Sequence, residues 1–138
     1  MIFMIGLIVI FFIHWVADFI FQEENWAVNK SKSLKHLLKH TTTYTLVFVI
    51  FLGIIKFLLE LITINFEFYS VYQILLFGGI TFLFHTITDY FTSKKVTERF
   101  ENNHLGSEIP NFGMFTIIGF DQYLHQVQLI VTYYLIFN

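Results

Sequence analysis

Three aspartates occur in this 138-residue chain, and each stands four residues from a histidine: His14 and Asp18 in HWVAD, His85 and Asp89 in HTITD, Asp121 and His125 in DQYLH. With six histidines in the chain, random placement gives a particular Asp such a neighbour roughly 9% of the time, so three out of three comes to about one in a thousand. On a helix, residues i and i+4 share one face, so each pair presents a carboxylate and an imidazole together. Oxygen and nitrogen donors of this kind suit Zn²⁺, Mn²⁺ or Fe²⁺, and three Asp with three or four His suffice for one or two ions. Three carboxylates gathered in one place repel one another unless cations or protons neutralise them.

Other polar residues fall into place around these pairs. His40, in HLLKH, is a fourth imidazole, but Leu37 stands where an HExxH metalloprotease helix needs its Glu. Gln22, one turn beyond Asp18, and Gln122, beside Asp121, are candidate donors to the carboxylates. His36, between Lys35 and Lys39, reads as a solvated residue, and His104 as a loop residue. Thr41 to Thr43 and Thr45 read as interhelical hydrogen-bonding positions, and Ser31 and Ser33 as loop or N-cap residues. No serine has the setting of a nucleophile elbow. The chain has no cysteine, which removes thiolate ligands, disulfides and cysteine nucleophiles.

Such pairs need helices to carry them. Four apolar stretches, at about 2–22, 37–62, 70–92 and 112–137, are each near the roughly 20 residues a helix needs to span hydrocarbon. Composition agrees: 56% of the chain is apolar and 13% charged, against roughly 45–50% and about 25% in ordinary globular proteins. Phe contributes 19 residues, and the mean hydropathy is +0.66. Disorder, a nucleic-acid-binding surface and a charged interaction tail are excluded, because each needs polar surface that is missing here. The N-terminal apolar run has neither a basic segment before it nor a small-residue cleavage site after it, so it is expected to remain in place. The expected fold is all-α, with residues 1–138 forming a single membrane domain, a polytopic four-helix bundle whose partner is the lipid bilayer.

The basic residues orient that bundle. Lys30, Lys32 and Lys35, with Glu23 and Glu24, follow the first stretch; Lys94, Lys95, Glu98, Arg99, Glu101 and Glu108 follow the third, with Pro110 just before the fourth. Asn65 to Ser70 carries one Glu and no base. Short cytoplasmic loops hold the Lys and Arg excess, so both basic loops are expected in the cytoplasm and both termini outside, in a bacterial inner membrane. Lys56 and Glu60, one turn apart near the outer end of the second helix, are expected to pair. In this topology the first and third helices run inward and read His then Asp, whereas the fourth runs outward and reads Asp then His. All three Asp then form one layer near the cytoplasm, with their three His about 6 Å deeper. His40 lies near the depth of the Asp layer, and the outer half is expected to be mostly Ile, Phe, Leu and Val.

The set resembles a bacterial and phage family of small integral membrane proteins of unknown function. Its pattern is an HxxxDxxxQ helix, a Lys-containing loop, a second-helix His, an HxxxD helix followed by Lys, and a DQxxH helix. His14, Asp18 and Gln22 match the first element, then Lys30, His40, His85 with Asp89 and Lys94, and finally Asp121, Gln122 and His125. More distantly the chain is similar to inner-membrane metal-dependent hydrolases. The resemblance implies a membrane location and a shared site.

Ionisable groups in hydrocarbon cost several kcal/mol each and mark function. The leading expectation is a metal-dependent hydrolase acting on a lipid or other membrane-embedded ester or phosphoester. Asp18, Asp89, Asp121 and His125 would be catalytic. His14, His40, His85 and His125 with the three Asp would bind one or two divalent ions, while Lys30 and Lys94 would attract an anionic headgroup. Two alternatives stay open: passage of protons or divalent cations through the same polar layer, and a non-catalytic membrane protein whose polar layer is structural.

Overall fold

The computed structural model describes residues 2–62, 69–107, 109 and 111–137. Pro110, Glu108 and the start of the Asn65 to Ser70 segment lie outside the described residues. Every regular element among those described is a helix.

Helix α1 (Ile2–Trp15) runs directly into a single π turn (Val16–Ile20), closed by the Phe21 N–H donating to the Val16 carbonyl at 3.0 Å. Such turns re-aim side chains at functional positions, and this one holds Asp18. The following segment, read from sequence as a plain loop, contains a short helix α2 (Glu24–Asn29), with Glu24 in the first turn where a negative charge is favoured. The Lys30 N–H closes α2 by donating to the Trp26 carbonyl at 2.8 Å.

Helix α3 (Leu34–Ile62) is unbroken over 29 residues, and the expected Lys56–Glu60 ion pair forms on it. Helix α4 (Val71–Glu101) opens with a capping box: the Ser70 hydroxyl accepts from the Gln73 N–H, and the Gln73 side-chain carbonyl accepts from the Ser70 N–H. It ends where Asn103 takes φ 54°, a left-handed conformation that Asn tolerates. The sequence reading ended this helix at 92, where the apolar run stops. Residues 93–101 include Lys, Glu and Arg and no Gly or Pro, so helix propensity carries α4 about 13 Å beyond its apolar part. Helix α5 (Met114–Phe137) completes the fold. Gly113 precedes it because a Cβ there would fall 1.8 Å from the Gly106 carbonyl oxygen.

The long helices close in a ring, with α3 on α4, α4 on α5, α5 on α1 and α1 on α3. Two cross-links tie the first basic segment to the end of α4: Thr97 Oγ1 donates to Ser31 Oγ at 2.9 Å, and Lys32 pairs with Glu101 at 2.8 Å. Both basic segments therefore lie at one end of the molecule. At the other end, Phe3 of α1 meets Tyr133 and Tyr134 of α5.

Burial is distributed inside out. Among the described residues, the buried set is twelve apolar and twelve polar or charged side chains, while Ile8, Phe12, Phe57, Leu61, Leu75 and Leu135 are more than half exposed. A water-soluble protein rarely exposes apolar area on this scale. Among the described residues, three helices are long and apolar enough to cross a membrane: Phe3–Ile20, Leu34–Ile62 and Val71–Glu101. The sequence reading expected a fourth span in α5. That helix has the length, but Asp121, Gln122, His125, Gln126 and Gln128 lower its hydropathy, and it is not among the three.

The apolar interior centres on Ile10, Ile13, Phe48, Phe77 and Leu129. Polar groups extend further along it than the sequence suggested. The Gln128 amide donates to Thr132 Oγ1 at 2.9 Å and to Thr81 Oγ1 at 3.3 Å, so the half expected to be apolar contains a small hydrogen-bonded polar cluster.

Candidate metal centre

The four helical segments of the ring deliver six acids and imidazoles to a common centre. The π turn supplies Asp18, α3 supplies His40, α4 supplies His85 and Asp89, and α5 supplies Asp121 and His125; all six are buried. His40 Nε2 lies 3.0 Å from His85 Nε2, 3.2 Å from Asp18 Oδ1 and 3.1 Å from Asp89 Oδ2. His85 Nε2 lies 3.8 Å from Asp18 Oδ1 and 3.7 Å from Asp89 Oδ2. Four donor atoms bound tetrahedrally at 2.0–2.1 Å from an ion stand about 3.3–3.4 Å from one another. These five separations straddle that value. An imidazole Nε2 has a single in-plane site, a proton or a lone pair, so His40 cannot form full hydrogen bonds to three partners at once, whereas one cation could be shared by Asp18, His40 and His85.

A second group adjoins the first. His125 Nε2 stands 3.2 Å from Asp89 Oδ1 and 3.4 Å from Asp121 Oδ1. Asp89 therefore turns one oxygen to His40 and His85 and the other to His125. Two triads, Asp18 with His40 and His85, and His85 with Asp89 and His125, each offer ligand atoms within 4.8 Å of one another. These buried Asp and His groups could hold a metal ion.

Residues beyond the donors orient them. The Gln122 amide nitrogen donates to Asp18 Oδ2 at 2.9 Å and to Asp121 Oδ2 at 3.2 Å. Both partners are carboxylates that only accept, so the Gln122 carbonyl faces His14 Nε2, which donates to it at 2.9 Å. His14 Nδ1 is then left for the Tyr44 hydroxyl, 2.7 Å away. Both ring nitrogens of His14 are used, and neither triad includes it. The reason is the π turn: Asp18 is directed to His40, and His14 reaches it only through Gln122. The Thr92 hydroxyl lies 2.5 Å from Asp121 Oδ1. Tyr44 stacks on His85 with ring centroids 3.8 Å apart, and His85 stacks on His125 at 4.1 Å.

Lys30 Nζ donates to Asp89 Oδ2 at 2.7 Å, with its side chain 16% exposed. Burial works against its charge, but Asp89 and Asp18 outweigh burial and raise its pKa, so it is an ammonium. The structure does not bring Lys94 to the centre; its Nζ sits 3.5 Å from the centroid of the Tyr90 ring on the outer surface. Gln22 reaches the edge of the site without a hydrogen bond to any carboxylate, and its Oε1 has no partner among the described residues. His36 is half-buried instead of solvated, with Nδ1 enclosed. Sequence reasoning missed Tyr44 and Thr92. Their signal was spacing, since Tyr44 is four residues from His40 and Thr92 three from Asp89, on the same helix faces.

Fold and centre together define a class: an all-helical chain with three helices apolar enough to cross a membrane and a buried Asp/His cluster between them. The chain belongs to a protein family of unknown function, DUF3307, whose pattern matches residues 6–138. No curated protein and no solved structure matches it.

Proposed function

We propose that residues 1–138 form one multi-pass domain of four spanning helices in a bacterial inner membrane, with both termini outside, and that the domain binds divalent metal near its cytoplasmic face to hydrolyse a membrane-embedded ester or phosphoester. The observation that carries this reading is the convergence of His40 and His85 Nε2 with Asp18 and Asp89 oxygens at 3.0–3.8 Å. That donor set favours Zn²⁺, Mn²⁺ or Fe²⁺.

The chemistry a divalent ion would supply there is polarisation of an ester oxygen and a bound water with its pKa lowered towards about 7. Asp18, His40 and His85 would hold a first ion, with Asp89 beside it, and His85, Asp89 and His125, with Asp121 beside them, would offer the place for a second. With a single ion bound, His125 Nε2 stays free beside two carboxylates, where it can take and return a proton. Gln122, held by His14, fixes Asp18 and Asp121. Hydrolysis breaks the C–O or P–O bond, joins the water oxygen to the acyl or phosphoryl centre and sends a proton to the departing alkoxide.

Metal analysis of purified protein tests the reading: near-stoichiometric Zn, Mn or Fe in the wild type that is lost in Asp89→Ala supports it, and neither preparation holding metal defeats it. Passage of protons or cations has one observation in its favour, the Thr81, Gln128 and Thr132 cluster. Beyond Tyr44, however, Phe48, Phe77 and Leu129 are completely buried across the interior, which favours a closed chamber over a path. Ion flux in liposomes abolished by Asp18→Asn would establish transport instead.

A further inference from the structure

A cavity of about 230 Å³ lies against the carboxylate side of the centre, at the end where the two basic segments meet. Asp18, Asp89 and Asp121 line it, and none of the centre's three imidazoles does. Three side chains on its other walls have hydrogen-bonding capacity to spare. Ser93 is 7% exposed, yet its Oγ has no partner among the described residues, and Gln22 Oε1 is in the same position. Lys30 uses one of its three N–H groups on Asp89. An unmatched buried hydroxyl is costly, so its presence marks a place where a ligand atom belongs.

Charge identifies the kind of ligand. Three carboxylates and one ammonium give the cavity lining a formal charge of −2; one divalent ion cancels it and two reverse it to +2. A centre loaded with two ions therefore attracts an anion, while the Ser93 hydroxyl and the Lys30 ammonium supply donors from separate walls. A carboxylic ester has two oxygens and no charge. A phosphoryl group has three or more acceptor oxygens and a negative charge, enough to meet the metal side and the donor walls together. Apolar Phe19 and Ile118 complete the rim, and Phe19 is half exposed on the outer surface, where an acyl chain can lie.

We infer that this cavity is the phosphoryl subsite of the metal centre, so that the substrate is a phosphoester, held by Ser93 and Lys30. The inference rests on the metal-centre reading above and narrows its substrate class. The probe is inorganic phosphate, added to the full chain in detergent micelles loaded with Mn²⁺, with ³¹P line broadening by the paramagnetic ion as the readout.

Saturable broadening is expected in the wild type. Ser93→Ala should weaken phosphate binding about tenfold with bound Mn²⁺ unchanged. Displacement of phosphate by phosphatidic acid in phosphatidylcholine vesicles assigns the subsite to a lipid headgroup; displacement only by soluble phosphomonoesters assigns it to a free phosphoester. Bound Mn²⁺ without saturable broadening, or Ser93→Ala with wild-type phosphate affinity, overturns the inference and leaves the metal centre standing. Failure to bind Mn²⁺, Zn²⁺ or Fe²⁺ overturns the metal centre and the inference with it.

Discussion

The Nε2 atoms of His40 and His85 face each other at 3.0 Å in the interior of the helix ring, and Asp18 and Asp89 oxygens close on the same point. Because His85 belongs to both triads, its loss should be felt by both. His85→Ala is expected to remove bound metal altogether, whereas His125→Ala should retain one equivalent at His40, His85, Asp18 and Asp89. Elemental analysis of the purified variants distinguishes these outcomes, and equal losses would contradict the division into two groups.

Lys30 bears on the same carboxylate from outside the membrane-spanning helices. Removing one partner of a buried ion pair typically costs about 3–5 kcal/mol, because the other charge is left uncompensated. Lys30→Met should therefore lower the melting temperature in metal-free detergent. A divalent ion can neutralise Asp89 in place of the ammonium, so added Mn²⁺ should raise the melting temperature of the variant more than that of the wild type. Identical shifts in both proteins would separate Lys30 from the metal centre.

Gln122 hydrogen-bonds to three side chains that, among the described residues, share no hydrogen bond with one another: His14, Asp18 and Asp121. Gln122→Leu leaves two buried carboxylate oxygens and a ring N–H unmatched, at about 1–3 kcal/mol each. Thermal unfolding should show a large loss, with metal affinity reduced as well because Asp18 and Asp121 are freed to turn. His14→Phe should destabilise the protein while preserving metal stoichiometry, and loss of metal in that variant would make His14 a ligand after all.

The approach of α3 to α4 depends on a missing side chain. A Cβ on Gly78 would lie 2.8 Å from Val49 Cγ2, and β-branched Val has little rotamer freedom with which to yield. Gly78→Ala is expected to cost about 1–3 kcal/mol by overpacking, despite its better helix propensity. Combining it with Val49→Ala should recover much of that loss, as a double-mutant cycle in detergent would show.

The proposed orientation is open to labelling, since the chain has no cysteine of its own. Tyr72→Cys and Lys95→Cys lie near opposite ends of α4. A membrane-impermeant maleimide applied to intact spheroplasts should modify position 72 and reach position 95 only after lysis. The reverse pattern would place both termini in the cytoplasm.

The donors were legible because charge is scarce in this chain. An Asp four residues from a His in a run of Phe, Ile and Leu is conspicuous, and helical periodicity alone puts the two on one face. His85–Asp89 and Asp121–His125 do approach each other, at 3.7 and 3.4 Å. His14–Asp18 follows another course, since the π turn is set by local backbone geometry that residue spacing does not encode. Tyr44 passed as core because an aromatic in an apolar run is usually just that; its hydroxyl acquires meaning only beside His14. Lys30 and Lys94 looked alike, and tertiary contacts separated them: α2 folds Lys30 onto Asp89, while Lys94 rests on Tyr90. Hydropathy marked where α4 leaves its apolar part, but propensity decided where the helix ends.

The donors come from the π turn, α3, α4 and α5, so no contiguous piece of the chain owns the centre. A break in any connecting loop would leave fragments that each carry an incomplete set, and the centre would return only when those fragments met again inside one bilayer. The smallest unit that can be transplanted, duplicated or divided without losing it is therefore nearly the whole sequence, from Asp18 to His125.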